Sequence, residues 1–121
     1  MNNFKPIRPM IWTSEIKVTI DFYVNTLGFI CREFNEEWGW AALQRDEAEI
    51  MVATPNENTP FDKPTFTGSF YIVLDNSDEL WEVLKDKCKV CYEIETFDWK
   101  MREFGIFDNN GYLLQFGTEI E

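Results

Sequence analysis

The residues able to do chemistry in this chain are limited first by an absence. Its 121 residues include no histidine, which removes the commonest general base and the commonest metal ligand. A Ser-His-Asp triad, a Cys-His pair and any His-containing zinc or iron site are therefore excluded. Three cysteines remain, Cys31, Cys88 and Cys91, an odd number without the spacing of a disulfide framework. Cys88 and Cys91 have CxxC spacing, but no second pair completes a zinc site. They also fall at the end of a predicted helix rather than at its start, where a reactive thiolate is favoured. All three are read as reduced thiols in a reducing, cytoplasmic compartment.

What is left for recognition is rings, amides and charge. Aromatic residues make up 17% of the chain and apolar residues 45%, enough for a core with rings to spare for a binding surface. Trp38 and Trp40 alternate along a predicted strand and face one side of it, either as a stacking wall for a flat ligand or as core. Trp99 falls in a predicted loop over residues 96–100, where an indole is either part of a site or a lid over the core. Asp98 and Glu103 flank it, and a ring beside carboxylates suits a cation. Phe104 and Phe107 face oppositely, so only one points inward; Phe104 is the candidate. Gln115 is expected to face a cleft and hydrogen-bond a ligand. Arg8 either grips a ligand carboxylate in a two-pronged contact or pairs internally with Glu49 or Gln115. Glu49 completes the candidate ligand-binding set.

The formal net charge is −11. It repels phosphate backbones, making nucleic acid an improbable partner, and it favours cationic ligands or serves solubility alone. The N-terminal residues have no apolar h-region, so no signal peptide is expected. No apolar run approaches the roughly 20 residues that span a bilayer, so no membrane is expected either.

The elements that must position these residues follow from periodicity and turn signals. A first strand is predicted over residues 5–12, with Pro6 and Pro9 marking an irregular start. Thr13 and Ser14 can cap a helix over 15–27, with Ile16, Ile20, Tyr23 and Leu27 on one face and Gly28 as its stop. Strands are predicted over 29–35, 38–45 and 49–54. A Pro-rich loop over 55–67 follows, and then the order restarts. A strand over 69–75 leads to a helix over 78–87 capped by Ser77. Strands over 90–95, 101–107 and 112–117 close the chain, the last two joined by an Asp108-Asn109-Asn110-Gly111 turn. The acidic residues Asp78, Glu79, Glu82 and Asp86 read as a solvated helix face. Strand-helix-strand-strand-strand thus occurs twice, with a period of roughly 60 residues. Each half buries little by itself. Two halves together, or a half with its counterpart in a second chain, leave a cleft where a ligand binds.

These residues also carry a family resemblance. Phe22-Tyr23-Val24-Asn25-Thr26-Leu27-Gly28-Phe29 resembles the FY-x-x-x-LGF signature of the vicinal oxygen chelate superfamily, which includes glyoxalase I, bleomycin-resistance proteins and extradiol dioxygenases. Residues 101–114 resemble its terminal R-E-F-x-x-x-D-P-x-G-N-x-L hairpin, with Asn109 where proline is usual. Residues 75–81 resemble its second helix entry. The resemblance covers nearly the whole chain. It implies an α+β fold of two tandem βαβββ modules, forming curved mixed sheets around a cleft in a single domain. Module one would span about 5–54, the linker 55–67 and module two about 68–118. Residues 37–45, Pro9 and the acidic balance are most similar to the bleomycin-resistance branch.

The superfamily's enzymes hold a divalent metal with four side chains from the first and last strand of each half. The resemblance places those positions at Arg8, at Met51 with its neighbour Glu49, at Ser69 and at Gln115. An arginine cannot ligate, a thioether suits soft ions and a serine is weak, so no metal or other cofactor is expected. The chain is read as a metal-independent protein that sequesters a small organic ligand, cationic or aromatic, as a cytoplasmic homodimer. Exchange of modules between chains through 55–67 is a variant of that dimer. The rival is a metal-dependent glyoxalase-type lyase or isomerase, or a dioxygenase.

Overall fold

A computed structural model describes residues 2–55, 61–65 and 68–121. The chain divides into two compact units, Met1–Asp62 and Lys63–Glu121.

In the first unit, β1 (Met10–Trp12), β2 (Ile30–Asn35), β3 (Trp40–Arg45) and β4 (Ala48–Ala53) form one sheet in the order β1-β4-β3-β2. β1 runs parallel to β4 and the other neighbours are antiparallel. The first strand is shorter than expected. Pro6 and Pro9 have no N–H for a ladder, and only the Pro9 carbonyl joins in, accepting from Met51 at 2.8 Å. Helix α1 (Ile16–Asp21) continues as a π-helical segment, Phe22–Thr26, in which the Leu27 N–H reaches back to the Phe22 carbonyl. Thr13, not Ser14, organises the entry. Its Oγ1 accepts from the Glu15 N–H at 3.0 Å and bonds Thr19 Oγ1 at 2.9 Å, and the Thr19 hydroxyl donates to the Glu15 carbonyl. Two buried threonines are satisfied in this way. The exit bears out the expected stop, with Gly28 at φ +76° and Arg45 Nη1 donating to the Leu27 carbonyl at 2.7 Å.

Alternation along β3 and β4 divides the sheet into two faces. Ala41, Leu43, Ile50 and Val52 are buried on the side against which α1 packs, together with Tyr23, Leu27 and Phe29. Trp40, Ala42 and Gln44 stand opposite Ala53, Met51 and Glu49 on the other, half-buried side.

The second unit repeats the plan. β5 (Phe70–Val73), β6 (Lys89–Phe97), β7 (Met101–Phe107) and β8 (Leu113–Glu119) lie in the order β5-β8-β7-β6, with β5 parallel to β8. Two tandem βαβββ modules of an α+β fold are therefore present. Helix α2 (Ser77–Leu84) is capped by Asn76, whose Oδ1 accepts from the Glu79 N–H; Ser77, the expected cap, instead donates to the Arg102 carbonyl. Asn and Ser are near-equal caps, and position in the turn decides between them. Leu84, Phe104, Ile106, Leu114 and Phe116 are buried on the helix side. Trp81 and Phe104 lie 5.2 Å apart there, and Phe104 and Phe116 5.3 Å apart. The expected linker contributes no strand or helix at residues 55 and 61–65. The rest of it, with most of the exchange hinge, lies outside the described residues.

The turn before β8 depends on one carboxylate. Asp108 Oδ1 accepts the N–H groups of Asn110, Gly111 and Tyr112 at 2.8–2.9 Å, and Asp108 is 6% exposed. Asp108→Ala is expected to cost about 1–3 kcal/mol of folding free energy, and Asp108→Asn, which keeps one acceptor, distinctly less. Urea unfolding of the three proteins checks this order.

Candidate functional site

In the second unit, the face of the sheet away from α2 is polar where a core would be apolar. Tyr71 on β5, Gln115 on β8, Gly105 on β7 and Tyr92 on β6 form one row across four strands. One alternation further along β7, Glu103 stands opposite Gly117. Glycines stand at Gly105 in this row and at Gly117 in the next because the tyrosine rings lie down on the sheet. A methyl on Gly105 would fall within the Tyr92 ring, and one on Gly117 would meet the Tyr71 hydroxyl. Both phenols thereby reach Glu103. Tyr71 donates to Oε1 at 2.6 Å, Tyr92 to Oε2 at 2.5 Å, and the Trp99 indole N–H to Oε1 at 2.8 Å. Gln115 Nε2 donates to the Tyr92 oxygen at 3.0 Å, and Ser69 donates to Gln115 Oε1.

Glu103 is 2% exposed. Burial by itself pushes its carboxyl up, but the three donors from Tyr71, Tyr92 and Trp99 together outweigh that and hold it below the usual carboxylate range. The tyrosines shift the other way. Burial, and after it the bond to Glu103, pushes both hydroxyls well above the ordinary phenol value, with Gln115 pulling Tyr92 slightly back. The cluster is a fixed anion ringed by neutral donors, not a base poised to take a proton.

Trp99 lies in the turn between β6 and β7 and is 60% exposed, yet it is held on several sides. Its ring stacks on Phe97 at 4.6 Å with 9° between planes, and its N–H is fixed by Glu103. The turn is closed by Lys100 N–H on the Phe97 carbonyl and Ile120 N–H on the Lys100 carbonyl, both 3.1 Å.

The first unit's half-buried face bears a different group. A cavity of about 220 Å³ is lined by Arg8, Arg32, Glu33, Trp40, Ala42, Leu43, Glu49 and Met51. Arg8 Nε lies 3.3 Å from Glu49 Oε2, and Arg32 Nη1 lies 3.7 Å from Oε1. Arg8 thus forms the internal pair with Glu49.

Within each unit, then, the candidates divide. Trp40 and Glu49 line the first cavity with Arg8, and Trp99 and Gln115 join the Glu103 cluster. Two placements differ from the sequence reading. β3 begins at Trp40, and Trp38 sits in the preceding turn, 72% exposed, its N–H on Asn35 Oδ1 at 2.9 Å. The two indoles therefore do not share a strand face. Phe104 is fully buried beneath α2, which removes it from the open face; Phe107, of opposite parity, lies under Lys89 Nζ at 5.4 Å instead. The sequence reading missed Tyr71, Tyr92 and Arg32. The signal for the tyrosines was present, since Gly105 and Gly117 interrupt strands that otherwise want side chains.

The positions that the resemblance assigns to a divalent metal do not fit one. Glu49 already faces two guanidinium groups, one at each oxygen. The Gln115 amide is bonded at both ends, by Ser69 and to Tyr92. Among the described residues there is no group of three or more His, Cys, Asp or Glu side chains able to hold a metal ion. Cys88 donates to the Leu84 carbonyl at 3.2 Å, and burial pushes its thiol up, away from thiolate chemistry.

A protein of this fold, with two βαβββ modules and open sheet faces opposite their helices, belongs to a recognisable class. The family model of the glyoxalase/bleomycin resistance protein/dioxygenase superfamily matches residues 6–116, and the chain belongs to that superfamily. No curated protein matches its sequence. Among solved structures, it is similar to a protein of unknown function from Agrobacterium tumefaciens, with TM-score 0.81, 14% identity and coverage of 99% of this chain and 98% of the other. It is similar to the bleomycin-binding protein of bleomycin-producing Streptomyces verticillus, complexed with copper(II)-bleomycin, with TM-score 0.74, 20% identity and full coverage of both chains. It is also similar to TioX from Micromonospora sp. ML1, with TM-score 0.71, 15% identity and coverage of 95% and 100%. At such identities the likeness is one of fold.

The cluster makes a pH prediction with a definite sign. The Glu103 carboxyl is lower in the folded chain than in the unfolded one. Its contribution to stability is therefore present above the ordinary carboxylate range and lost as pH falls through the folded value. The Tyr71 and Tyr92 hydroxyls are raised, so their contribution is present below about 10 and lost as pH rises further. Glu103→Gln is expected to flatten the acid limb of the stability curve. In an ultraviolet titration it also brings tyrosine ionisation to lower pH than in the parent protein.

Proposed function

We propose that this chain binds a small organic ligand with a flat or cationic ring, without a metal ion, and that Trp99 is its main platform. The observation that carries the reading is an exposed indole held rigid by a stacked phenylalanine, a buried carboxylate and a closed turn. Exposed tryptophans are normally costly to leave in water and costly to order on binding; this one is ordered beforehand. Glu103 on its N–H also enriches the ring in negative charge, which favours a cation over its open face. The net charge of −11 draws such a ligand in.

The superfamily likeness supports small-molecule binding as the class of activity, and the bleomycin-binding neighbour supplies one example of it. Gln115, with a second Nε2 N–H beside the one it gives Tyr92, would add a hydrogen bond; Trp40, Arg8 and Glu49 of the first unit are proposed as a separate contact region. A cluster without a poised base supports binding rather than catalysis as the reading. No described helix is long and apolar enough to cross a membrane. A homodimer in the cytoplasm, without nucleic acid, completes the proposal; it rests on the resemblance, the thiols and the charge.

Thermal-shift measurements with metal-free bleomycin, phenethylammonium and salts of zinc, manganese and iron test the reading. An organic cation is expected to raise the melting temperature, and the metal salts to leave it unchanged. Trp99→Ala is expected to weaken organic binding by about 1–3 kcal/mol. Unchanged affinity in that variant, or stabilisation by a stoichiometric metal, contradicts the proposal.

A further inference from the structure

The first unit holds two cations that share a single carboxylate. Arg8 precedes β1, Arg32 lies on the edge strand β2, and both approach Glu49 of β4, each at a different oxygen. Neither contact is tight. At 3.3 and 3.7 Å they exceed the roughly 2.7–2.9 Å of a good charge-assisted bond. Among the described residues the Arg8 Nη groups make no hydrogen bond, and Arg32 makes one, to Gln44 Oε1 at 2.8 Å. Each guanidinium has five N–H donors. The pair is therefore under-used, and it stands at the rim of a cavity of about 220 Å³ whose other walls include Trp40, Ala42 and Met51.

We infer that this cavity is a subsite for a small carboxylate on a flat apolar body, gripped by Arg8 and Arg32 with the body against Trp40 and Met51. Glu49 shows which guest suits the pair, since a carboxylate from the protein itself already occupies it. An incoming carboxylate can take one bond from the free Nη edge of Arg8 and one from an N–H of Arg32 other than the one held by Gln44. The walls favour a planar apolar group over a bare anion. Glu33 also lines the cavity and opposes the guest, as does Glu49, so their charges limit affinity rather than create it. The subsite lies in the first unit and does not depend on Trp99 of the second.

Benzoate, benzyl alcohol and inorganic phosphate are suitable probes, with binding followed by calorimetry and by the NMR signals of the arginine Nε–H groups. Benzoate is expected to bind and to shift the Arg8 and Arg32 signals, whereas the neutral alcohol and phosphate bind at least several-fold more weakly. Arg8→Gln and Arg32→Gln should each weaken benzoate about tenfold, the loss of one charge-assisted hydrogen bond. Glu49→Gln and Glu33→Gln should strengthen it severalfold. Both arginines are exposed, so the variants keep their melting temperatures. Trp99→Ala should leave benzoate affinity unchanged, which separates this subsite from the proposed ring platform. The inference is overturned by any of four results: no benzoate binding, unchanged affinity in both arginine variants, weaker binding in Glu49→Gln, or phosphate binding as well as benzoate does.

Discussion

A carboxylate taken out of water must be given donors, and in the second unit that requirement decides the identity of its neighbours. Glu103 has three, from Tyr71, Tyr92 and Trp99. An unpaired buried carboxylate would instead shed its charge, because the cost of keeping it runs to several kcal/mol. Bringing two phenols to one carboxylate needs their rings flat on the sheet, which needs Gly105 and Gly117. Holding the third donor needs the turn that carries Trp99, stacked on Phe97. Through Tyr92 the same network fixes Gln115, and through Gln115 it fixes Ser69. A rigid, exposed indole is a consequence of satisfying a buried charge.

The two units use one topology for different surfaces. Each has its first strand parallel to its last and one helix packed on a buried apolar face. The opposite face is guanidinium and carboxylate around Trp40 in the first unit, and phenol, amide and carboxylate in the second. Of the positions at which the superfamily's enzymes hold a metal, Arg8, Glu49, Ser69 and Gln115 are paired with other side chains here. Such pairing leaves no buried group unsatisfied: among the described residues no buried side-chain nitrogen or oxygen lacks a partner.

Much of this was legible in the sequence, for physical reasons that can be named. Strand β7 matches the expected residues 101–107 because an Asp-Asn-Asn-Gly turn fixes its end. The doubled βαβββ order followed from helix and strand periods alternating twice. Trp38 was misplaced because a turn residue next to a strand carries the same alternation as the strand itself. Phe104 was misjudged because parity tells which residues share a face, not which face the helix covers. The sequence places Glu103 beside Trp99, but the bonds from Tyr71 and Tyr92 come from separate strands that no local pattern links to it. Only the two in-strand glycines hinted that rings must lie across the sheet there.

The most direct test is the carboxyl carbon of Glu103 itself, followed by carbon-13 NMR in selectively labelled protein as the pH is lowered. The signal is predicted to stay at its ionised position through the range in which the exposed glutamates titrate, and to move only at lower pH. A Glu103 that titrates with the exposed glutamates, or above them, while the fold is intact would contradict the account.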